Sequence, residues 1–177
     1  MIEDIPNKSS LNITKGNNKQ MNEKPEIKGW VTVVKNAGRP DEQILCKNKP
    51  NLLTNGGRDF FIAQCYTNTS AGTRGSHFIA LTTDDTGAAA GDTTLPDEIT
   101  TGGLARALAT TIDHTGGTNS TTLAKTFTAS ATHTAVQMSG LFNQLAVGGT
   151  LSHENTFTSV TLQTSDTLSV TWTTTLG

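Results

Sequence analysis

The stretch TLSVTWTTTLG at residues 167–177 constrains the fold more than any other. Leu168, Val170, Trp172, Thr174 and Leu176 fall on one parity, and Thr167, Ser169, Thr171, Thr173 and Thr175 on the other. Successive side chains of an extended strand point to opposite faces, so this alternation predicts a strand with one face in a core and one hydroxyl-covered face outward. The end of the sequence is therefore expected to be core rather than tail. The stretches STTLAKTFTAS, HTAVQMSGLFN and NTFTSVTLQ carry the same kind of text, each bounded by Gly, Asn, Ser or Asp. In the first, Leu123, Lys125, Phe127 and Ala129 share a face, and Lys125 is expected at an edge with its amine snorkelling out. Strands recurring at about ten-residue spacing, with turn residues between them, predict an all-β, antiparallel β-sandwich that is jelly-roll-like.

The upstream elements fit that plan. GWVTVVKNAG, residues 29–38, predicts a first strand, and EQILC, residues 42–46, its hairpin partner across NAGRPD. NLLTNGGRDFFIAQCYT predicts one short helix. Thr54 or Asn55 would be its N-cap and Asn55 to Gly57 the bend that starts it, with Asp59 in the first turn and Phe60, Phe61, Ile62 and Cys65 at helical spacing. SHFIALTTDD predicts a strand over 78–81, followed by a connection, DDTGAAAGDTTLPDEITTGG, that is long enough to be a contact or binding element. In LARALATTIDHTGG, Thr110, Thr111 and Ile112 lower helix propensity and glycine pairs flank both sides, so a strand is expected. The predicted core is Phe60, Phe61, Phe78, Ile79, Leu81, Phe127, Leu141, Phe142, Phe157, Leu168, Val170 and Trp172.

Only 34% of the 177 residues are hydrophobic and 5% aromatic, and the Thr-rich, Gly-punctuated remainder suits β-structure, where branched side chains pack on a pleated surface. Residues 1–28 contain no aromatic residue before Trp30 and too few apolar ones for a core. They are expected to form an extended N-terminal arm, ordered by partner subunits, in front of a sandwich domain at 29–177. Residues 1–50 hold nine Lys or Arg against six Asp or Glu, and residues 51–177 four against nine. A basic arm on an acidic body fits docking on neighbouring copies or plain solvation. The net charge of −2 argues against nucleic acid as a partner. The first residues are acidic and no apolar run is long enough for secretion or membrane spanning, so synthesis in a cytoplasm and no membrane partner are expected. Cys46 and Cys65 form no CxxC pair and are expected to be reduced thiols.

No catalytic constellation is legible. His77, His114, His133 and His153 are scattered without HExxH or paired-CxxC spacing. There is no GxSxG elbow, no SxxK and no phosphate-cradling glycine motif, so neither an enzyme nor a cofactor is expected. Among Asp84, Asp85, Asp92, Asp97 and Glu98, the residues Asp84, Asp85 and Asp92 are the metal candidates, because hard cations take several carboxylate oxygens. Their spacing is not that of an EF-hand, and solvated loop acids or partners for the basic arm are the alternative. Trp30 and Trp172 could stack on sugars, although the parity of Trp172 places it in the core. Arg106, set among apolar residues, is expected either to pair with Asp59, Asp97 or Glu98 or to face solvent, and Arg58 has the same two readings.

The series NLLTNGGRDFFIAQ, FIALTTDDTGAAAGDTTLPDEITTGGLARALAT, KTFTASATHTAVQMSGLFN and NTFTSVTLQTSDTLSVTWTTTLG resembles a group of structural proteins of tailed phages and archaeal tailed viruses. Its order covers roughly residues 29–177. The resemblance implies a β-sandwich virion component on the head surface or in the tail, with no catalytic residues to carry over. The expected function is that of a head-surface, decoration or minor capsid protein, found in the virion after assembly in the host cytoplasm. Its partners would be copies of itself, as a homo-oligomer, and other virion proteins. A tail-fibre or receptor-binding protein using the loop at 82–101, and a carbohydrate-binding module, are the rival expectations.

Overall fold

The computed structural model of the chain describes residues 26–66, 75–116 and 119–176. The expected arm up to residue 25, its binding by partner subunits and the polar loop before Gly75 thus fall outside the described residues, as do the side chains of Ile62 and Cys65. Eleven elements follow: β1 (Ile27–Lys35), β2 (Gln43–Pro50), β3 (Leu52–Leu53), α1 (Asn55–Tyr66), β4 (Phe78–Thr82), β5 (Ala107–Leu108), β6 (Thr111–Asp113), β7 (Ser120–Thr128), β8 (His133–Phe142), β9 (Leu151–Leu162) and β10 (Thr167–Leu176). They make two five-stranded antiparallel sheets, ordered β2-β1-β10-β7-β6 and β3-β9-β8-β4-β5. β1 pairs with β10, so the two ends of the described chain lie side by side in the first sheet, and the next segments inward, β3 and β9, pair in the second, the wrapped path expected of a jelly-roll-like sandwich.

The first sheet keeps the alternation of its sequence. Trp172 lies between Val31 and Leu123 in register, and Leu168 between Lys35 and Phe127. Val31, Val33, Leu168, Val170 and Trp172 are fully buried, and Leu123 and Phe127 nearly so. They face Ile79, Leu81, Val136, Leu141, Phe157 and Leu162 of the second sheet in one continuous core. Lys125 is half-buried on this inner parity, opposite Val170. β6 pairs only as far as Ala124, so β7 is an edge at that point and the amine has a way out.

The second sheet departs from simple alternation, because one end of it is buried on both faces. All five residues of β4 are buried, as are Met138 to Phe142 and Leu151 to Asn155. Phe78, Ala80, Met138, Phe142 and Leu151 form a second cluster on the outer face, capped by Leu95 from the connection after β4. Gly140 makes room for that cap, since a Cβ there would lie 2.8 Å from Leu151 and 3.0 Å from Leu95. Leu141 pairs with His153 and Phe142 with Leu151, so Ser152 is the extra residue of a β-bulge.

Helix α1 begins where expected, with Thr54 as its cap. Its Oγ1 accepts from the Gly57 amide at 3.0 Å and donates to the Leu151 carbonyl at 2.5 Å, tying the helix to β9. A Cβ on Gly57 would lie 2.3 Å from the Ser152 carbonyl, so only glycine allows this approach.

Several expectations are corrected. Phe60 is half-buried and Phe61 is 37% exposed, because the helix lies against β9 at the rim of the sandwich and not between the layers. Asp59 sits beyond the first turn. The first strand starts at Ile27, inside the stretch assigned to the arm, and ends at Lys35. The stretch after Leu104 is two short strands in different sheets, β5 on β4 and β6 on β7, with Ala109 and Thr110 as the crossing. At the β1–β2 corner Asn36 is fully buried with φ 50°, a conformation asparagine tolerates. Its amide donates to Asp41 and Asp166 at 2.7 and 3.0 Å, and its Oδ1 accepts from the Thr167 amide at 2.7 Å. The Gln163 amide, Lys35 and Asn36 together hold the Asp166 carboxyl down at about 2.

Candidate contact site

The connection from residue 83 to residue 106 is a fitted cover over the outer face of the second sheet. A bridge between Thr82 and Glu98 starts it, and Leu95 is its apolar plug. Further along, Glu154 projects outward from β9 into the cover, 1% exposed. Its Oε1 accepts from the Ala89 amide at 2.8 Å, and Asp92 Oδ2 accepts from the same amide at 2.9 Å. Burial and the neighbouring Asp92 push the Glu154 carboxyl up to about 8, so it holds its proton at neutral pH.

Arg106 closes the cover. Its Nε and Nη2 donate to the two oxygens of Glu98 at 2.8 and 2.5 Å, so the partner is Glu98 rather than Asp59 or Asp97. The guanidinium lies 3.5 Å above the Phe142 ring, a cation–π contact. Its Nη1 donates to the carbonyls of Gln144, Ala146 and Gly148 at 3.2, 2.9 and 2.8 Å. With the even-numbered carbonyls drawn inward, Leu145 and Val147 between them stand out at 58% and 73% exposure. Gly148 and Gly149, both at positive φ, and the Thr150 amide on Asn143 Oδ1 at 2.8 Å complete the turn. An apolar tip is thereby held on a polar fastening, a form suited to contact with another surface. The arginine was a sequence candidate; the tip was not, because LAVGG reads as an ordinary turn.

The other candidates lie apart from this tip. Asp84 bonds the amide and hydroxyl of Thr86, Asp85 is exposed, and Asp92 belongs with Glu154. Among the described residues no three His, Cys, Asp or Glu side chains are placed to hold a metal ion. His114 bonds the Ser120 carbonyl and His133 the Gly102 carbonyl. Cys46 is unpaired, with burial raising its thiol pKa. Trp172 is core, whereas Trp30 faces outward on the first sheet and lines a shallow depression of about 250 Å³ with Asn48 and Thr173. His77 and His153, far apart in sequence, line one cavity of about 370 Å³ at the rim between the sheets. Sequence spacing carried no sign of that convergence, because it is made by strand pairing. Among the described residues no helix is long and apolar enough to cross a membrane.

No protein-family model, curated protein or solved structure matches the chain.

Proposed function

We propose that this chain is a structural protein of a tailed-virus particle, a head-surface, decoration or minor capsid component that assembles with copies of itself and with other virion proteins. The observation that carries the reading is the apolar tip at Leu145 and Val147, held outward by Arg106. Exposed apolar side chains on a pre-ordered loop associate without the entropy cost of ordering that loop first. The sequence resemblance supports the same reading. Its DTTLPDEITTGGLARA segment supplies Leu95, Glu98, Leu104 and Arg106, and its TFTAS and GLFN segments supply Phe127, Leu141 and Phe142, all of them packing or fastening residues.

Replacing Leu145 and Val147 together by serine tests this reading. Unchanged thermal unfolding with lost incorporation into particles is the expected result, and full occupancy by the double variant removes the tip from assembly. The copy number per particle then separates locations: a number matching the shell lattice supports the head, a handful the tail.

A second reading has its own observation. Trp30, half-buried beside Asn48 and Thr173, is an aromatic platform of the kind on which sugars stack, as a tail-associated receptor-binding protein would need. Binding of the isolated protein to host glycans, abolished by Trp30→Ala, would favour it.

A further inference from the structure

The cavity between α1 and the two sheets takes its apolar lining from Leu53, Phe60, Phe61, Leu123 and Leu141; Ser152 and His153 are buried polar side chains set among them, and Ser76, His77, Asn119, Thr121 and Thr174 add polar groups to the wall. His153 is 8% exposed, and its Nε2 has no hydrogen-bond partner. The neighbouring bonds fix which form of the ring is present. Ser152 Oγ donates its only proton to the Leu141 carbonyl at 3.1 Å, so toward His153 Nδ1, also at 3.1 Å, it can only accept. Nδ1 therefore carries the hydrogen, and Nε2 presents a bare lone pair. A buried acceptor left without a donor is costly, and with Ser76 Oγ, likewise buried without a partner, it marks where a ligand's polar group would be held in a mainly apolar space.

We propose that this cavity is a binding site for a small amphipathic molecule, a flat apolar body carrying one hydroxyl or N–H group that donates to His153 Nε2. The volume of about 370 Å³ exceeds the roughly 150 Å³ that holds a benzene ring, so a fused two-ring body fits. Phe60 and Phe61 from α1 form the apolar rim, and the partial exposure of Phe61 leaves a way in. The tilted contact between the His153 and Trp172 rings, with centroids 6.3 Å apart, keeps the imidazole in its orientation. Burial holds the ring neutral, with its pKa lowered to about 4, so the lone pair persists at neutral pH.

Two probes on the full chain test the site: 2-naphthol, which carries the donor, and 2-methoxynaphthalene, which has the same rings without it. Calorimetric titration should give saturable one-to-one binding of 2-naphthol, about tenfold tighter than the ether, the factor a single buried hydrogen bond supplies. The nitrogen NMR resonance of His153 Nε2 should move toward its protonated position with naphthol and stay with the ether. Leu53→Trp, which fills the space, should abolish binding while the far-ultraviolet spectrum of the folded protein is retained. Equal affinity for the two probes, binding that leaves the Nε2 resonance in place, or no saturable binding of 2-naphthol each overturns the proposal. The wild-type comparison decides it even if the tryptophan variant does not fold.

Discussion

The two sheets use similar residues in different ways. The first sheet has one wet face and one dry face, and its stability comes from an apolar layer backed by threonine. One end of the second sheet is dry on both faces, and its outer side is closed by a loop that apolar contact alone could not hold. Leu95 supplies one plug, but Arg106 with Glu98, and Glu154 with Asp92, fasten the rest. The contrast shows what it takes to bury a sheet face under irregular chain: the polar backbone of the cover needs partners inside.

Truncating the shared core has the largest expected effect. Trp172→Ala should cost about 3–5 kcal/mol in chemical denaturation and lower hydrogen-exchange protection in both sheets together. Arg106→Met, of similar size but local, should cost about 3 kcal/mol because Glu98 is left buried without its partner. Faster exchange should then be confined to the cover and to the tip at 143–149, with β1 and β10 unchanged. Uniform loss of protection would mean that cover and core are one cooperative unit, and would break the comparison.

Acidity should separate two neighbours on β9. The Glu154 carboxyl rises from 4.5 to about 8 on folding, so across that interval the native state holds a proton the unfolded chain lacks. Stability should therefore fall as pH rises from 4.5 to about 8, and Glu154→Gln should flatten the slope. His153 falls from 6.5 to about 4, so the native state is short of a proton there and stability should fall as pH drops through that interval. Thermal unfolding against pH, with His153→Phe as the control, measures both slopes. The smallest effect is expected on the wet face: Thr126→Val, exposed and bonded only to Ser169, should stay within about 0.5 kcal/mol.

The same contrast explains what could be read in advance. The strands of the first sheet were legible because a single dry face leaves its period in the text, as Leu168, Val170 and Trp172 do. β4 was found as an apolar run, but nothing in FIALT says that both of its sides are covered. The crossing at Ala109 and Thr110 was missed for a related reason: β5 and β6 are too short to show a period, and only their partners β4 and β7 tell them apart. At the candidate site, Arg106 stood out as a charge among apolar residues. Glu154 did not, because HENT resembles any polar turn until the bulge at Ser152 directs its neighbours to opposite faces. Phe61 misled because aromatic character was taken as burial, while the helix carrying it lies on the rim.

A guanidinium keeps its charge at any acidity a protein meets. The fastening of the Leu145–Val147 prominence therefore keeps its charge in alkaline surroundings, while the part of the covering segment around Ala89 and Asp92 lies on a Glu154 carboxyl that gives up its proton as pH rises through about 8. One surface thus carries a permanent latch beside a removable one, so alkali would loosen the stretch around Ala89 while the end pinned by Arg106 and the projecting contact kept their shape.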